Sequence, residues 1–254
     1  MKNLQGIVVG ALLLTPLVLS AEEAPPRVVD PKADRIMERA CEQLKSAPGF
    51  SVRADISYDD ILTSGLTVQY QRSSELVLDR PNHLRVDNES DKGSRTILYD
   101  GKTLTVFDPE MNMYVQVPAP DTIDATLDKL EERGVSLPLD DLMSSEPCAW
   151  LHEAVWDGFY GGRHYLDGGF VHHLLFRVAA ADFQVWIQGG EVPVIRKVII
   201  EYREKEGKPR YEARLSDWNF RPEIKAEEFT FTPSEGASRI EFRAANAAGE
   251  GDRP

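Results

Sequence analysis

The stretch Thr96–Pro109, TILYDGKTLTVFDP, decides the fold. Ile97-Tyr99 and Leu104-Val106 repeat with a period of two on either side of Asp100-Gly101. That period belongs to a strand, whose successive side chains point to opposite faces. Asp-Gly between two such runs is the strongest short hairpin signal, because glycine takes positive φ without steric cost. Asp108-Pro109 then closes the second run.

The same pattern spreads outward. Upstream, Phe50, Val52, Ala54, Ile56 and Tyr58 alternate with polar residues, and Leu66-Val68-Tyr70, Leu76-Leu78 and Leu84-Val86 follow. Ser64-Gly65 and Pro81-Asn82 mark turns between them, and Met113-Val115-Val117 continues downstream. After a break at Ala119, strand patterns resume at Val171–Val178, Phe183–Gln188, Ile195–Tyr202, Tyr211–Phe220 and Phe229–Phe231. About a dozen strands joined by short turns describe an all-antiparallel meander with one apolar face.

Helical spacing occurs in few places. Asp30-Pro31 reads as a cap followed by proline at the first helical position, and Ile36, Met37, Ala40, Cys41 and Leu44 share one face before Pro48-Gly49. Ile123, Leu127 and Leu130 predict a second helix over roughly 122–133, capped by Gly134, and a short third one is expected around Leu139–Met143. The expected class is therefore mainly β (α+β): a large curved antiparallel sheet, closed by a few helices. It forms one domain over 30–242, with a helical insertion at about 119–157. Two short helices cannot fill the inside of so large a sheet. The sequence leaves two interiors open, a part-empty apolar cavity or a packed core.

Composition sets the outer limits. Among 254 residues, 42 acids face 29 bases, giving a charge of −13, and 42% are hydrophobic. This suits a globular core and argues against nucleic acid, whose phosphates require a basic face. It also argues against docking on anionic lipid. Lys2, the apolar run Ile7–Leu19 and small residues at Ser20-Ala21 have the layout of a cleaved secretory signal over 1–21. The run is shorter than the roughly 20 residues of a spanning helix, so no stable membrane anchor is expected. Cleavage takes the charge from −13 to one unit more negative. Residues 22–29 read as a flexible lead-in and 243–254 as a disordered tail. In an oxidising compartment Cys41 and Cys148 are a candidate disulfide, or two unrelated buried thiols.

Catalytic signals are sparse. His152, His164, His172 and His173 lie close in sequence and invite a metal test. Adjacent His172 and His173 in a strand point to opposite faces, so at most one joins a given site. Buried or exposed structural histidines are the simpler reading. There is no nucleophile elbow, phosphate loop or dinucleotide fingerprint, and the glycine pairs 161–162, 168–169 and 189–190 read as isolated turns. Trp150, Trp156, Trp186 and Trp218 fit a core better than a ligand site.

Three blocks resemble, in order, segments of the LolA family of periplasmic lipoprotein carriers. They are LVLDRPNHLRV at Leu76–Val86, the hairpin Thr96–Pro109, and EEFTFTPSEG at Glu227–Gly236. A closer resemblance is to a domain-of-unknown-function family of predicted periplasmic proteins within that superfamily. It is carried by Asp121–Met143, by HHLLFR at His172–Arg177, by FQVWIQGG at Phe183–Gly190 and by Trp218. That family often has a cysteine before the two histidines, where this chain has Val171. The resemblance implies a LolA/LolB-like half-barrel whose apolar cavity takes acyl chains. It also implies that Arg80, the arginine of the Arg-Pro pair, latches a helical lid made by 31–46 and 122–133. A surface arginine at a strand end is the plainer alternative.

The expected function is that of a periplasmic, non-enzymatic protein binding a lipid or lipoprotein acyl chain, with no cofactor and no metal. Strand parity offers Leu76, Leu78, Leu84, Val86, Ile97, Tyr99, Leu104 and Val106 as the cavity wall. The alternatives are an envelope sensor binding a protein partner through the insertion, and a metal-dependent hydrolase using the His152–His173 cluster.

Overall fold

Asp30 and Pro31 begin the first helix as their types predict. In the computed structural model, which describes residues 26–132 and 139–241, α1 spans Pro31–Ser46 and the Asp30 carboxylate accepts the Lys32 backbone N–H. Ala33, Met37, Ala40 and Leu44 form its buried stripe. The segments 1–21 and 243–254, the proposed cap Gly134 and the side chain of Trp150 lie outside the described residues.

A short strand β1 (Val28–Val29) precedes α1, within the segment expected to be a flexible lead-in. The first meander follows: β2 (Gly49–Ile61), β3 (Thr67–Asp79), β4 (His83–Ser90), β5 (Arg95–Tyr99), β6 (Thr103–Asp108) and β7 (Met113–Pro118). The runs around Val68 and Leu78 merge into the single strand β3. At the deciding hairpin Gly101 has φ 84°, and the Asp100 carboxylate accepts the backbone N–H groups of Lys102 and Thr103. The insertion contains α2 (Ile123–Glu131), α3 (Asp140–Met143) and α4 (Ala149–Glu153). The Thr122 hydroxyl caps α2 by accepting the Ala125 N–H. A second meander returns through β8 (Asp157–Leu166), β9 (Gly169–Arg177), β10 (Ala181–Gln188), β11 (Val194–Tyr202) and β12 (Arg210–Asn219). A last short strand, β13, is Ser238–Arg239.

These strands form one open curved sheet of 13 strands in the order β1-β8-β9-β10-β11-β12-β2-β3-β4-β5-β6-β7-β13. The two meanders join where β12 pairs antiparallel with β2, Tyr211 opposite Tyr58. The expectation of an all-antiparallel sheet needs one correction. Both outermost pairs, β1 with β8 and β13 with β7, are parallel. Each is a two-residue strand laid by an end of the chain along an edge that would otherwise expose unpaired backbone groups.

Two further differences have local causes. Strand β8 gave no alternating signal because Gly158, Gly161 and Gly162 occupy it. The pair 161–162 is not a turn. It sits at a bulge where register shifts between Tyr160 and Gly162, with Gly162 at φ 102°. A Cβ on Gly158 would come within 2.9 Å of the Phe176 ring. The expected strand Phe229–Phe231 is instead a 3-10 turn over Ala226–Phe229 followed by chain outside the sheet. This segment crosses the outer face of the first meander. Phe229 stacks on His83, and Phe231 packs on Phe107 and Tyr114. Its phenyl rings seek the sheet's face rather than its ladder.

Candidate functional site: a roofed cavity on the inner face

The inner face carries the core, and α1 lies across it against β8 to β11. The Cys41–Cys148 disulfide, with Cα atoms 5.8 Å apart, ties α1 to the insertion. Beside it Lys45 and Glu146 form an exposed ion pair at 2.6 Å. Helix and insertion together make a roof over the sheet.

Under that roof the two halves of the sheet differ. Beneath the first meander the interior is filled. Leu78 and Tyr99 are 0% exposed, and Leu76, Leu84, Val86, Ile97 and Leu104 are buried with them. Val106 is half-buried. Ile123, Leu130, Leu142 and Met143 of the insertion belong to the same cluster, and the Tyr99 hydroxyl donates to the Pro120 carbonyl. Leu76, Val86 and Ile97 border only a void of about 20 Å³.

Beneath the second meander there is a cavity of about 560 Å³. This volume falls within the range of small-molecule sites, roughly 300–1,000 Å³. Its floor consists of straight cross-strand rows. Phe183, Ile200, Tyr211 and Tyr58 face one another across four strands, and Val185 and Val198 stand in the next row. Met37 of α1, Leu139, Leu142 and Cys148 roof it. Charge enters at the rim, through Asp59, Arg72, Asp140, Asp141, Lys205 and Arg210. The Tyr211 hydroxyl is buried without a hydrogen-bond partner among the described residues. Burial pushes its pKa up, so the phenol stays a neutral donor.

None of the eight residues offered from strand parity lines this larger cavity. They sit on the inner face, in the packed half. The cavity residues Phe183, Val185, Val198, Ile200 and Tyr211 lie in strands that the sequence did predict, and their alternation was the signal that could have found them.

Arg80 is half-buried, with its guanidinium beneath the insertion. Its Nη1 donates to the Met143 carbonyl at 2.9 Å, while Nε and Nη2 have no partner among the described residues. Burial lowers its pKa, and Asp124 of α2 opposes that shift. The Asp124 carboxylate itself accepts from the Ser144 hydroxyl and the Ser145 N–H.

The histidines separate as strand geometry requires. His173 faces outward, stacked on Trp186 at 4.2 Å between centroids and 3.1 Å from Gln184 Oε1. His164 lies beside it, 4.5 Å between ring centroids. Burial first, and then His164, lower the His173 pKa. His172 points inward to the Tyr160 hydroxyl at 3.0 Å. His152 is elsewhere, 3.5 Å from Glu38. No group of three or more His, Cys, Asp or Glu able to hold a metal occurs among the described residues. Trp218 donates to the Ile195 carbonyl at 2.8 Å and stacks on Phe220, outside the cavity lining.

Comparison with known proteins adds a family and several folds. The sequence model of the predicted periplasmic proteins DUF2092 matches residues 33–243. No curated protein matches the chain significantly. Among solved structures, the lipoprotein LppX of Mycobacterium tuberculosis is similar at 14% identity and TM-score 0.49, covering 77% of this chain and 100% of its own. An uncharacterized conserved protein of Thermus thermophilus has 12% identity and TM-score 0.47, covering 83% and 99%. A LolA superfamily protein of Nitrosomonas europaea has 14% identity and TM-score 0.39, covering 78% and 97%.

Proposed function

The chain belongs to the DUF2092 family of predicted periplasmic proteins, and from that premise we propose that it is a periplasmic, non-enzymatic binding protein for an apolar chain, a lipid or lipoprotein acyl group. The observation that carries this reading is the cavity of about 560 Å³ between the inner face of the sheet and the disulfide-tied roof. Its floor is apolar at Phe183, Val185, Val198 and Ile200. Each methylene moved there from water contributes about 0.8 kcal/mol, and no bond need be made or broken. The motifs resembling the lipoprotein carriers support the same reading, as does the signal-like segment at 1–21.

Mass spectrometry of organic extracts is the direct test, on protein purified from its native compartment. Acyl lipids at near-stoichiometric amounts are expected. An extract without lipid, together with failure to bind an apolar fluorescent probe, would remove the proposal. A stoichiometric protein partner in a lipid-free preparation would favour an envelope sensor instead.

In this reading Arg80 meets the roof through Met143, and its poorly compensated burial keeps the closed state marginal so that the roof can open. A buried guanidinium with two unpartnered nitrogens is a poor stabiliser, since its desolvation outweighs one hydrogen bond. Arg80→Met is therefore expected to keep the urea midpoint or raise stability by about 1 kcal/mol. Probe uptake, followed by stopped flow, then slows about fivefold as the closed state gains. Destabilisation beyond about 2 kcal/mol with unchanged uptake would make Arg80 a plain structural residue.

A further inference from the structure

We propose that the ligand is an anionic amphiphile, with its carboxylate or phosphate head between Arg72 and Tyr211 at the rim and its tail under α1. This rests on the reading of the cavity as an acyl site and specifies the head that such a ligand carries.

Arg72 is set apart by what it lacks. Across the sheet, Arg53 pairs with Glu75, Arg85 with Asp87, Arg95 with Asp108, and Arg177 with Asp182. Arg214 pairs with Asp167. Other arginines without a side-chain hydrogen bond or ion pair among the described residues, such as Arg35, Arg163 and Arg221, are exposed, whereas Arg72 is half-buried. The Arg72 side chain makes no hydrogen bond or ion pair among the described residues, and lies over the Tyr58 ring at 5.7 Å. It stands opposite Ile56 on the inner face, in the row next to Tyr58 and Tyr211.

Tyr211 supplies the matching donor. Its hydroxyl is buried and without a hydrogen-bond partner among the described residues, and it lines the same cavity as Arg72. A neutral phenol donor and a guanidinium that line one cavity from adjacent rows suit an oxyanion, which accepts from both. Lys205 also lines this cavity, 4.1 Å from the Tyr202 ring centroid, while Lys92, 3.8 Å from that of Tyr70, is paired with Asp60 at 3.8 Å.

The rim acids are engaged in other contacts. The Asp59 carboxylate accepts from the Gln69 side chain and from the Arg210 N–H. The Asp140 carboxylate accepts the Asp141 N–H at the start of α3. Asp141, beside it, is the group that a cationic head would seek, and the test includes that case.

The test uses the full chain, delipidated, with 11-(dansylamino)undecanoic acid and its methyl ester as fluorescent probes. The acid is expected to bind about tenfold more tightly than the ester, the advantage of a charge-assisted contact. Arg72→Gln should weaken the acid about tenfold and the ester less than twofold, with Arg72→Lys recovering part of the loss. Tyr211→Phe should weaken the acid about threefold. Retained ester binding shows that each variant is folded. Competition with dodecanoate and with dodecyl phosphate then distinguishes a fatty acid from a phospholipid-type head. Equal binding of acid and ester, unaffected by Arg72→Gln, overturns the head assignment and leaves the apolar cavity standing. Stronger displacement by dodecyltrimethylammonium also overturns it, in favour of the rim acids. If neither probe binds, the acyl-site reading fails and takes this proposal with it.

Discussion

Replacing Cys41 and Cys148 together with serine is expected to lower the free energy of unfolding by about 4–5 kcal/mol. The bridge spans 107 positions, and in the entropic account its stabilisation grows with the logarithm of the loop it closes. That loss is a large share of the roughly 5–15 kcal/mol typical of a folded domain. The rest of the protein offers little to replace the tie. Lys45–Glu146 is solvent-exposed at both partners, so it is screened and weak. The stripe Ala33, Met37, Ala40 and Leu44 holds α1 to the sheet, but Ala33 and Ala40 are small. Denaturant unfolding of the wild type with and without reductant, beside the double serine variant, measures the effect. Reduced wild type and variant should coincide. A loss below about 1 kcal/mol would mean that packing alone secures the roof. Hydrogen exchange should show α1 opening before the sheet in the variant, because the bond's local effect is on the helix.

Leu78→Ala is expected to cost about 3–5 kcal/mol, the range for truncating a fully buried leucine that cannot be replaced by collapse of its surroundings. Leu78 is 0% exposed, opposite Phe50 on β2 and Leu84 on β4. Phe50, at the same 0%, packs on Trp218 and Phe220, so the site is walled by rings that move little. Urea titration measures the cost. In the fraction that stays folded, affinity for an alkyl probe should be unchanged, since Leu78 does not line the larger cavity. A selective loss of probe binding with stability intact would instead place the ligand beneath the first meander. The experiment therefore separates two halves of one sheet that look alike in sequence.

That likeness explains how far the residues could be read. Alternation told which side of β3 to β6 is buried, because parity depends only on the strand itself. Leu76, Leu78, Leu84 and Val86 accordingly face inward. Whether an inward side chain meets another side chain or a space is decided by what lies above it. Here that depends on the contact of Cys41 with Cys148 and on where Leu139, Leu142 and Met143 descend. These are long-range placements, on which the period of a strand carries no information. The cap at Asp30 was visible because it acts within one helical turn. Strand β8 was not, because its glycines serve a bulge and the close approach of Phe176 instead of presenting an apolar stripe. Arg80 was noticed only through its resemblance to the arginine of the carriers. Arg72 escaped notice because an arginine within a strand reads as ordinary until its missing partner is seen.

The two short parallel strands at the sheet margins impose an order on assembly. Val28–Val29 belongs to the start of the chain, yet the strand it closes, β8, begins at Asp157. Ser238–Arg239 closes β7 only after the whole second meander has emerged. A chain that emerges N-terminus first therefore carries open sheet margins until its last segment arrives. Removal of Val28–Val29 or Ser238–Arg239 would bare the edge of β8 or β7, a margin able to recruit a neighbour's strand.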